Sequence, residues 1–543
     1  MSSKIKLYLG RKVIESLRQS TNVNPLQLKP LIHIGNPPSD NNIELYLPMN
    51  IIEHYLGISS INDILKIQPD DIIKNIHCVK DSTNRKISFE INRDIFVKDV
   101  IENCAIPDIS QTSKNIVIEY SSPNIAKPFH VGHLRSTIIG NFLANLHSYL
   151  NHNVTRLNYL GDWGTQFGFI RVGVNKLNFT DSDIKQNPTQ LLYESYVHAN
   201  QLAESDPTIS ELARDYFAKL ENGSVSDLEV WQSYINYTIS DLRATYDRLG
   251  VQFDEYNYES MYNATHIKSV LDVLLNKKLL KVDTDGKQTV KVNDRNICLI
   301  KSDGSTLYLT RDLAAAIDRF KKYNFDQMYY VVENGQNDHF NALKGLLHCM
   351  DLPWSDRIKH IKFGRIHGMS TRKGKVVFLR DLLNEIQELM SEKQMKSPNT
   401  KVPITDGEIS DILGVSCVIV NDLKQRRQKD YTFSWDQALQ NSGAVPVRIC
   451  KPEFLEQSNV TALVRELARF PDILYKAQSQ MESCMLVTYL FHLCNNINRV
   501  FKTLQVKDQE PELASQRLLL FSSARDVLGQ GMRILGLKPL TKM

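Results

Sequence analysis

NIVIEYSSPNIAKPFHVGHLRSTIIGN, Asn115 to Asn141, decides how this chain is read. Ile116, Val117 and Ile118 form a short β-branched run that ends in polar residues, the pattern of a buried strand. Beyond it Leu134, Ile138, Phe142 and Leu146 recur at helical spacing. VTRLNYLGDWGTQFGF, from Val154, then reads as a strand followed by a glycine-rich turn. Strand, helix, strand predicts a parallel βαβ unit and an α/β fold. In an open sheet of that kind ligands lie beyond the carboxyl ends of the strands, where a helix N-terminus offers free N–H groups and a positive dipole end. The segment between Tyr120 and Leu134 occupies that place. Gly132 leaves room for a flat base against the backbone, and His130 and His133 flank it as donors for phosphate or ribose oxygens. Two helix-start histidines making local hydrogen bonds have the same short signature, so H-x-G-H alone does not choose.

Outward from this unit the chain changes character. Residues 1 to 112 mix short helical and strand patterns with Pro and Asn breaks, as in HIGNPPSDNN at 33–42, and predict an appended α+β domain. The stretch from about 185 to 280 reads as largely helical, an insertion between two halves of a sheet. The α/β pattern resumes at STLYLTRDLAAAIDRF, FDQMYYVVENGQNDHF and HIKFGRIHGMSTRKGK. Beyond about 400 the chain turns helical. The predicted domains are therefore 1–112, 113–395 and 396–543.

Composition limits the partners. The 543 residues suffice for three or four ordinary domains, and the net charge of +4, from 65 basic and 61 acidic residues, permits a nucleic-acid partner without demanding one. No window approaches the roughly 18 consecutive apolar residues of a membrane span, so none is expected. The 8 cysteines show no C-x-x-C pair and predict free, mostly buried thiols in a reducing compartment. Near the N-terminus Lys4, Lys6, Arg11, Lys12 and Arg18 surround a helical face of Ile5, Leu9, Val13 and Leu17. That pattern suits an organellar transit peptide and equally an ordinary first helix of a domain.

GMSTRKGK, Gly368 to Lys375, presents Arg372, Lys373 and Lys375 on a glycine-containing loop suited to a triphosphate, although a solvated surface loop has the same composition. The two motifs, in this order and on opposite halves of an interrupted α/β domain, resemble the signatures of class I aminoacyl-tRNA synthetases. HVGH resembles the family's HIGH motif and MSTRK its KMSKS loop. SSPNIAKPFHVGHLRSTIIGN, NYLGDWGTQFG, RLGVQFDEY, TLYLTRDLAAAIDR and FGRIHGMSTRKGKVVFLRDLL are each similar to segments of arginyl-tRNA synthetases, over about 115–385. The ending VLGQGMRILGLKPLTKM resembles the close of that family's anticodon-binding domain, with the mitochondrial animal enzymes the most similar.

The resemblance implies a Rossmann-like catalytic domain with a helical insertion, an appended N-terminal tRNA-binding domain and an all-α anticodon-binding domain. It implies an arginine–tRNA ligase that forms arginyl-adenylate from L-arginine and ATP. Mg²⁺ would ride on the ATP phosphates, and the arginyl group would pass to the terminal adenosine of tRNA for arginine. A monomer in the mitochondrial matrix is expected, or alternatively a cytoplasmic one. His130 and His133 would stabilise charge on the phosphates, with Gly132, Met369 and Ser370 beside the nucleotide. The loop departs from the family pattern, leaving Arg372 or Lys373 as the second-half cation and Lys127 as a compensating one. Tyr308 and Asp312 would hold the guanidinium, with Gln336 framing the amino acid. Ser122, Pro123 and Asn124 would meet its amino and carboxylate end with His133, and Glu119 is a weaker candidate. From sequence alone, Asp312 is equally a helix-start cap. The run NDLKQRRQKDYTFSWDQ, 421–437, is a phosphate-and-stacking surface or a solvated helix end followed by core aromatics.

The resemblance lapses at AVPVRICKPEFLEQSNVTALVREL, where the family has a helix. Pro446 and Pro452 oppose one here, because each removes a donor and blocks the preceding turn. The atypical segment, about 443–458, leaves open an inactive or regulatory RNA-binding paralogue or splice form.

Overall fold

Alternation of Ile43, Leu45 and Leu47 with Glu44 and Tyr46 makes a strand with one buried face, and Ile87, Phe89 and Ile91 line the buried face of a second strand, in which Ser88 is buried as well. In the computed structural model these two strands pair antiparallel, with Ile43 opposite Ile91, Leu45 opposite Phe89 and Leu47 opposite Ile87. The structure describes residues 3–17, 23–37, 39, 41–57, 60–80, 85–103, 112–125, 129, 131–302, 304–367, 378–396, 407–432 and 450–540. The chain forms two units, one of Met1–Thr112, Tyr149–Asn151 and Gln440–Met543, the other of Ser113–Ser148 and His152–Leu439.

In the first unit β1 (His33–Ile34), β2 (Ile43–Pro48), β3 (Ile73–Lys80) and β4 (Arg85–Ile91) form a sheet in the order β1-β2-β4-β3. The helix Ser3–Ser16 buries Ile5, Leu9 and Val13, with Leu17 just beyond it, and Lys6 is paired with Asp472 at 2.6 Å. The apolar face of the N-terminal amphipathic pattern thus packs into the core of this unit. The helices Ser458–Gln480, Cys484–Phe501 and Pro511–Ile534 complete this unit. Between them the helix Arg93–Asn103 buries Phe96, Val97, Val100 and Ile101, and Arg93 Nε donates to Thr461 Oγ1 at 2.8 Å. In the atypical segment the described part holds only one short 3-10 turn, Pro452–Phe454, flanked by buried Cys450 and Leu455. Pro446 lies outside the described residues.

The second unit is built on β5 (Asn115–Glu119), β6 (Asn153–Leu160), β7 (Glu255–Tyr258), β11 (Gln327–Glu333) and β12 (Ile358–Phe363). They run parallel in the order β12-β11-β5-β6-β7. The helix Val131–Tyr149 follows β5 and buries Leu134, Ile138, Phe142 and Leu146, as its periodicity requires. Helices run from Thr165 to Arg248 between β6 and β7, beginning earlier and ending sooner than the pattern implied. β7 itself lies within the stretch read as helical: only four residues long, it has too few positions to register a period of two. A separate antiparallel sheet, β8 (Leu280–Val282), β9 (Gln288–Val292) and β10 (Arg295–Ile300), was not legible either. β13 (Ile366–His367) pairs parallel with β14 (Tyr431–Thr432).

Among the described residues no helix is long and apolar enough to cross a membrane. The described cysteines are free, as expected, but only Cys417 and Cys450 are buried, while Cys78, Cys298, Cys349, Cys484 and Cys494 are half-buried; Cys104 lies outside the described residues.

Candidate active site

β5 delivers its carboxyl end into a turn that ordinary side chains resist. Ser121 and Ser122 both lie in the left-handed region, φ 70° and 45°, a conformation costing about 1–3 kcal/mol per residue. Hydrogen bonds from neighbouring elements hold it. Ser121 N–H donates to Ser136 Oγ at 3.0 Å, and Ser122 N–H donates to Asn158 Oδ1 at 3.1 Å. The Ser121 and Tyr246 hydroxyls lie 2.7 Å apart, and Asn158 Nδ2 donates to Tyr246 at 3.0 Å. Ser136 Oγ in turn donates to Val331 O on β11, so helix, β6 and β11 jointly fix the turn. The chain then runs beside the end of β6, where Ile125 N–H donates to Gly161 O and Gly161 N–H to Pro123 O. His133 stacks on Phe129, ring centroids 5.6 Å apart at 8°.

Beneath this turn lies a group of carboxylates. Glu119, at the end of β5, receives Arg319 Nη1 at 2.5 Å and Ser122 Oγ at 3.4 Å. Arg319 is 2% exposed, with its guanidinium over the Tyr159 ring at 4.7 Å, and it also donates to Tyr330 OH. Burial opposes charge on both members of this pair. It is nevertheless ionised, because a guanidinium keeps its proton and a neutral Glu119 would leave it buried without compensation. Glu259 is paired with Arg311 at 3.0 Å; burial pushes its carboxyl up to about 7, outweighing Arg311, with Asp312 and Asp162 adding to the rise.

The helix carrying Asp312 starts at Tyr308 with Leu307 as its cap. Asp312 therefore sits in the second turn and is not a cap, which removes that alternative. Its Oδ2 lies 2.7 Å from His339 Nε2, on the first turn of the helix Asn337–Cys349. Gln336, at the end of the short turn before that helix, is exposed, and Tyr308 is 60% exposed.

On the other side of the HVGH helix Arg135, 1% exposed, acts as a clamp. Its Nη1 donates to Gly364 O at 2.5 Å and Lys429 O at 2.9 Å, and its Nε lies 3.1 Å from Asp422. Arg427 is buried and donates to Lys362 O, while its own carbonyl receives Gly364 N–H. The basic run at 421–437 is therefore partly a brace for the end of β12: Arg427 does not face solvent, whereas Arg426 and Lys429 are exposed. Phe433 and Trp435 lie outside the described residues.

This arrangement agrees with the comparisons. Residues 97–435 match the family described as tRNA synthetases class I (R), catalytic domain, and residues 438–543 the DALR anticodon binding domain. A probable arginine–tRNA ligase, mitochondrial, of Mus musculus is 39% identical over 495 residues, 84% of this chain and 85% of that one. The chain belongs to the class I arginyl-tRNA synthetases. A probable cytoplasmic arginine–tRNA ligase of Dictyostelium discoideum is 35% identical over 538 residues, covering 88% of this synthetase and 90% of its own length. In fold the synthetase is similar to the arginyl-tRNA synthetase of Plasmodium falciparum, with a TM-score of 0.76 at 23% identity, covering 100% and 99% of the two chains.

Within the synthetase the structure brings Ser122, Glu119 and, through Arg319 and Tyr159, Asp312 toward one another, with Pro123 and Asn124 continuing along Gly161. Lys127, His130, Met369, Ser370, Arg372 and Lys373 lie outside the described residues. Sequence reasoning missed Glu259, Arg319 and His339. A signal existed for two of them: Arg319 is seven residues after Asp312, on the same helical face, and His339 is three residues after Gln336.

Proposed function

We propose that the group around Asp312 binds the guanidinium of L-arginine, and that the adjoining turn and HVGH helix present its carboxylate to ATP. The chain is an arginine–tRNA ligase by family, and the reading adds which residues act. The observation that carries it is Asp312: among the described residues Glu119 is paired with Arg319 and Glu259 with Arg311, whereas Asp312 is paired with His339. A planar cation with five donors fits such a carboxylate between aromatic rings.

Gly132 and His133 open the helix Val131–Tyr149, whose N-terminus favours phosphate oxygens, and His130 is assigned to the same phosphates by the HVGH motif. Lys127 with Arg372 or Lys373 supplies the remaining positive charge, and Met369 and Ser370 flank the nucleotide. Mg²⁺ arrives on ATP phosphates. Ser122, Pro123 and Asn124 take the amino and carboxylate end with His133, Gln336 frames the amino acid, and Tyr308, 60% exposed, joins Asp312 at the guanidinium from the rim. The arginyl group then passes from the adenylate to a terminal ribose hydroxyl of tRNA for arginine, with AMP leaving, the tRNA being bound by residues 1–112 and by the helical C-terminal region. The similarity to ligases named mitochondrial supports that compartment.

Arginine-dependent pyrophosphate exchange, with and without tRNA, tests the reaction. Exchange with arginine alone among amino acids is expected. Asp312→Ala is expected to raise the KM for arginine about 100-fold or more, since it removes the partner of a buried cation. An unchanged KM takes Asp312 out of the pocket.

A further inference from the structure

Among the described residues one side chain hydrogen-bonds to Asp312, and it is an imidazole. His339 Nε2 reaches Asp312 Oδ2 at 2.7 Å, with Asp312 27% and His339 23% exposed by side chain, so the contact is reachable by a ligand without being open water. The two residues lie on different helices, Tyr308–Tyr323 and Asn337–Cys349, whose first turns both stand at the carboxyl side of the sheet. A neutral imidazole donating Nε2–H orients the carboxylate and leaves its charge available. A protonated one supplies that charge with a cation, and a guanidinium must then compete for the same oxygen.

We infer that His339 is a positioning residue of the arginine site whose protonation antagonises arginine binding. This rests on the assignment of Asp312 to the guanidinium. The other charged groups do not substitute for His339. Glu119 and Glu259 act on Asp312 as like charges, and each is held by its own arginine, Arg319 or Arg311. The phenols of Tyr159 and Tyr330 lie near Asp312 and stay neutral, because burial raises both. His360, on β12, is near His339, and burial lowers it so that it stays neutral. The substrate guanidinium keeps its charge throughout this range.

The test is the KM for arginine in aminoacylation by the full chain at pH 6 and pH 8, with the KM for ATP as control. The arginine KM is expected to be severalfold higher at pH 6 than at pH 8, with the kcat ratio much less affected. His339→Gln keeps a donor to Asp312 but cannot gain a proton. Its arginine KM at pH 8 is expected within about threefold of the unsubstituted chain, with the rise at pH 6 gone. His339→Phe, which lacks the donor, should raise the KM at both pH values. Glu259→Gln controls for the other group titrating in this window and should retain the rise. A flat profile in the unsubstituted chain, a rise that persists in His339→Gln, or a rise lost in Glu259→Gln overturns the inference. If Asp312→Ala leaves the arginine KM unchanged, the pocket assignment falls and this inference with it. If Asp312→Ala behaves as expected while His339→Gln keeps the rise, only the inference falls.

Discussion

Arg135→Met removes a guanidinium that joins three elements of the second unit. The side chain is 1% exposed and Asp422 is 3% exposed, so the substitution takes a positive charge away from a carboxylate in the interior. It also strips a donor from Gly364 O and Lys429 O. Breaking a buried pair from one side costs about 3–5 kcal/mol, mostly the burial of the charge left behind. At roughly 2–4 °C per kcal/mol for a unit of this size, the melting transition should fall by about 10 °C. Calorimetry or circular dichroism of the full chain reads this directly. The double variant Arg135→Met with Asp422→Leu should recover more than half the loss, because an apolar pair then fills the site in place of a buried carboxylate facing a methionine. If Arg135→Met melts within about 2 °C of the original, or the double variant is no better than the single, the clamp is not a buried ion pair of the kind described.

The pH dependence of stability carries the mark of Glu259. Its carboxyl titrates at about 7 in the folded chain against an ordinary 4.5, so between those values the folded state holds the extra proton and stability falls as pH rises. The loss amounts to roughly 3 kcal/mol. Glu259→Gln should remove it from the difference in urea midpoint between pH 5 and pH 8, and equal differences in both chains would count against the assignment. Gly168 lies on the helix Thr165–Leu177 with a Cβ position 1.9 Å from Ala213 O, so Gly168→Ala must push two helices apart. A drop in Tm of several degrees is expected, and an unshifted melt would show the helices are not so close. Leu9 is 0% exposed in the first helix, so Leu9→Asp should unfold the first unit at ambient temperature. Its far-ultraviolet signal and proteolysis pattern should change together. A variant that melts like the parent would return that helix to a dispensable leader.

The strand, helix and glycine-rich turn around the HVGH motif were legible in the residues because a buried strand and an amphipathic helix each write a period into the chain. The helical face of Leu134, Ile138, Phe142 and Leu146 is the clearest instance, and all four are buried. The two motifs and their order likewise marked the family, since the chemistry of phosphate binding constrains residue types locally. Elements shorter than a period, such as β7, left no such mark. The first helix was ambiguous for a different reason: an amphipathic face is the same whether it meets a lipid, an import receptor or the neighbouring helices of its own unit, and only the packing shows Ile5, Leu9 and Val13 buried there.

The sequence by itself determined the α/β class, the family and the candidate residues of the site, because these depend on local pattern. Partnership among charges did not follow from it. Arg319 with Glu119, separated by 200 residues, and Asp312 with His339, separated by 27, are joined by the order of parallel strands and by the helices that follow them. Three carboxylates look alike in a sequence. The tertiary structure alone gave Glu119 and Glu259 their internal arginines and left Asp312 to an imidazole, because only in three dimensions does burial force each charge to find its counterpart.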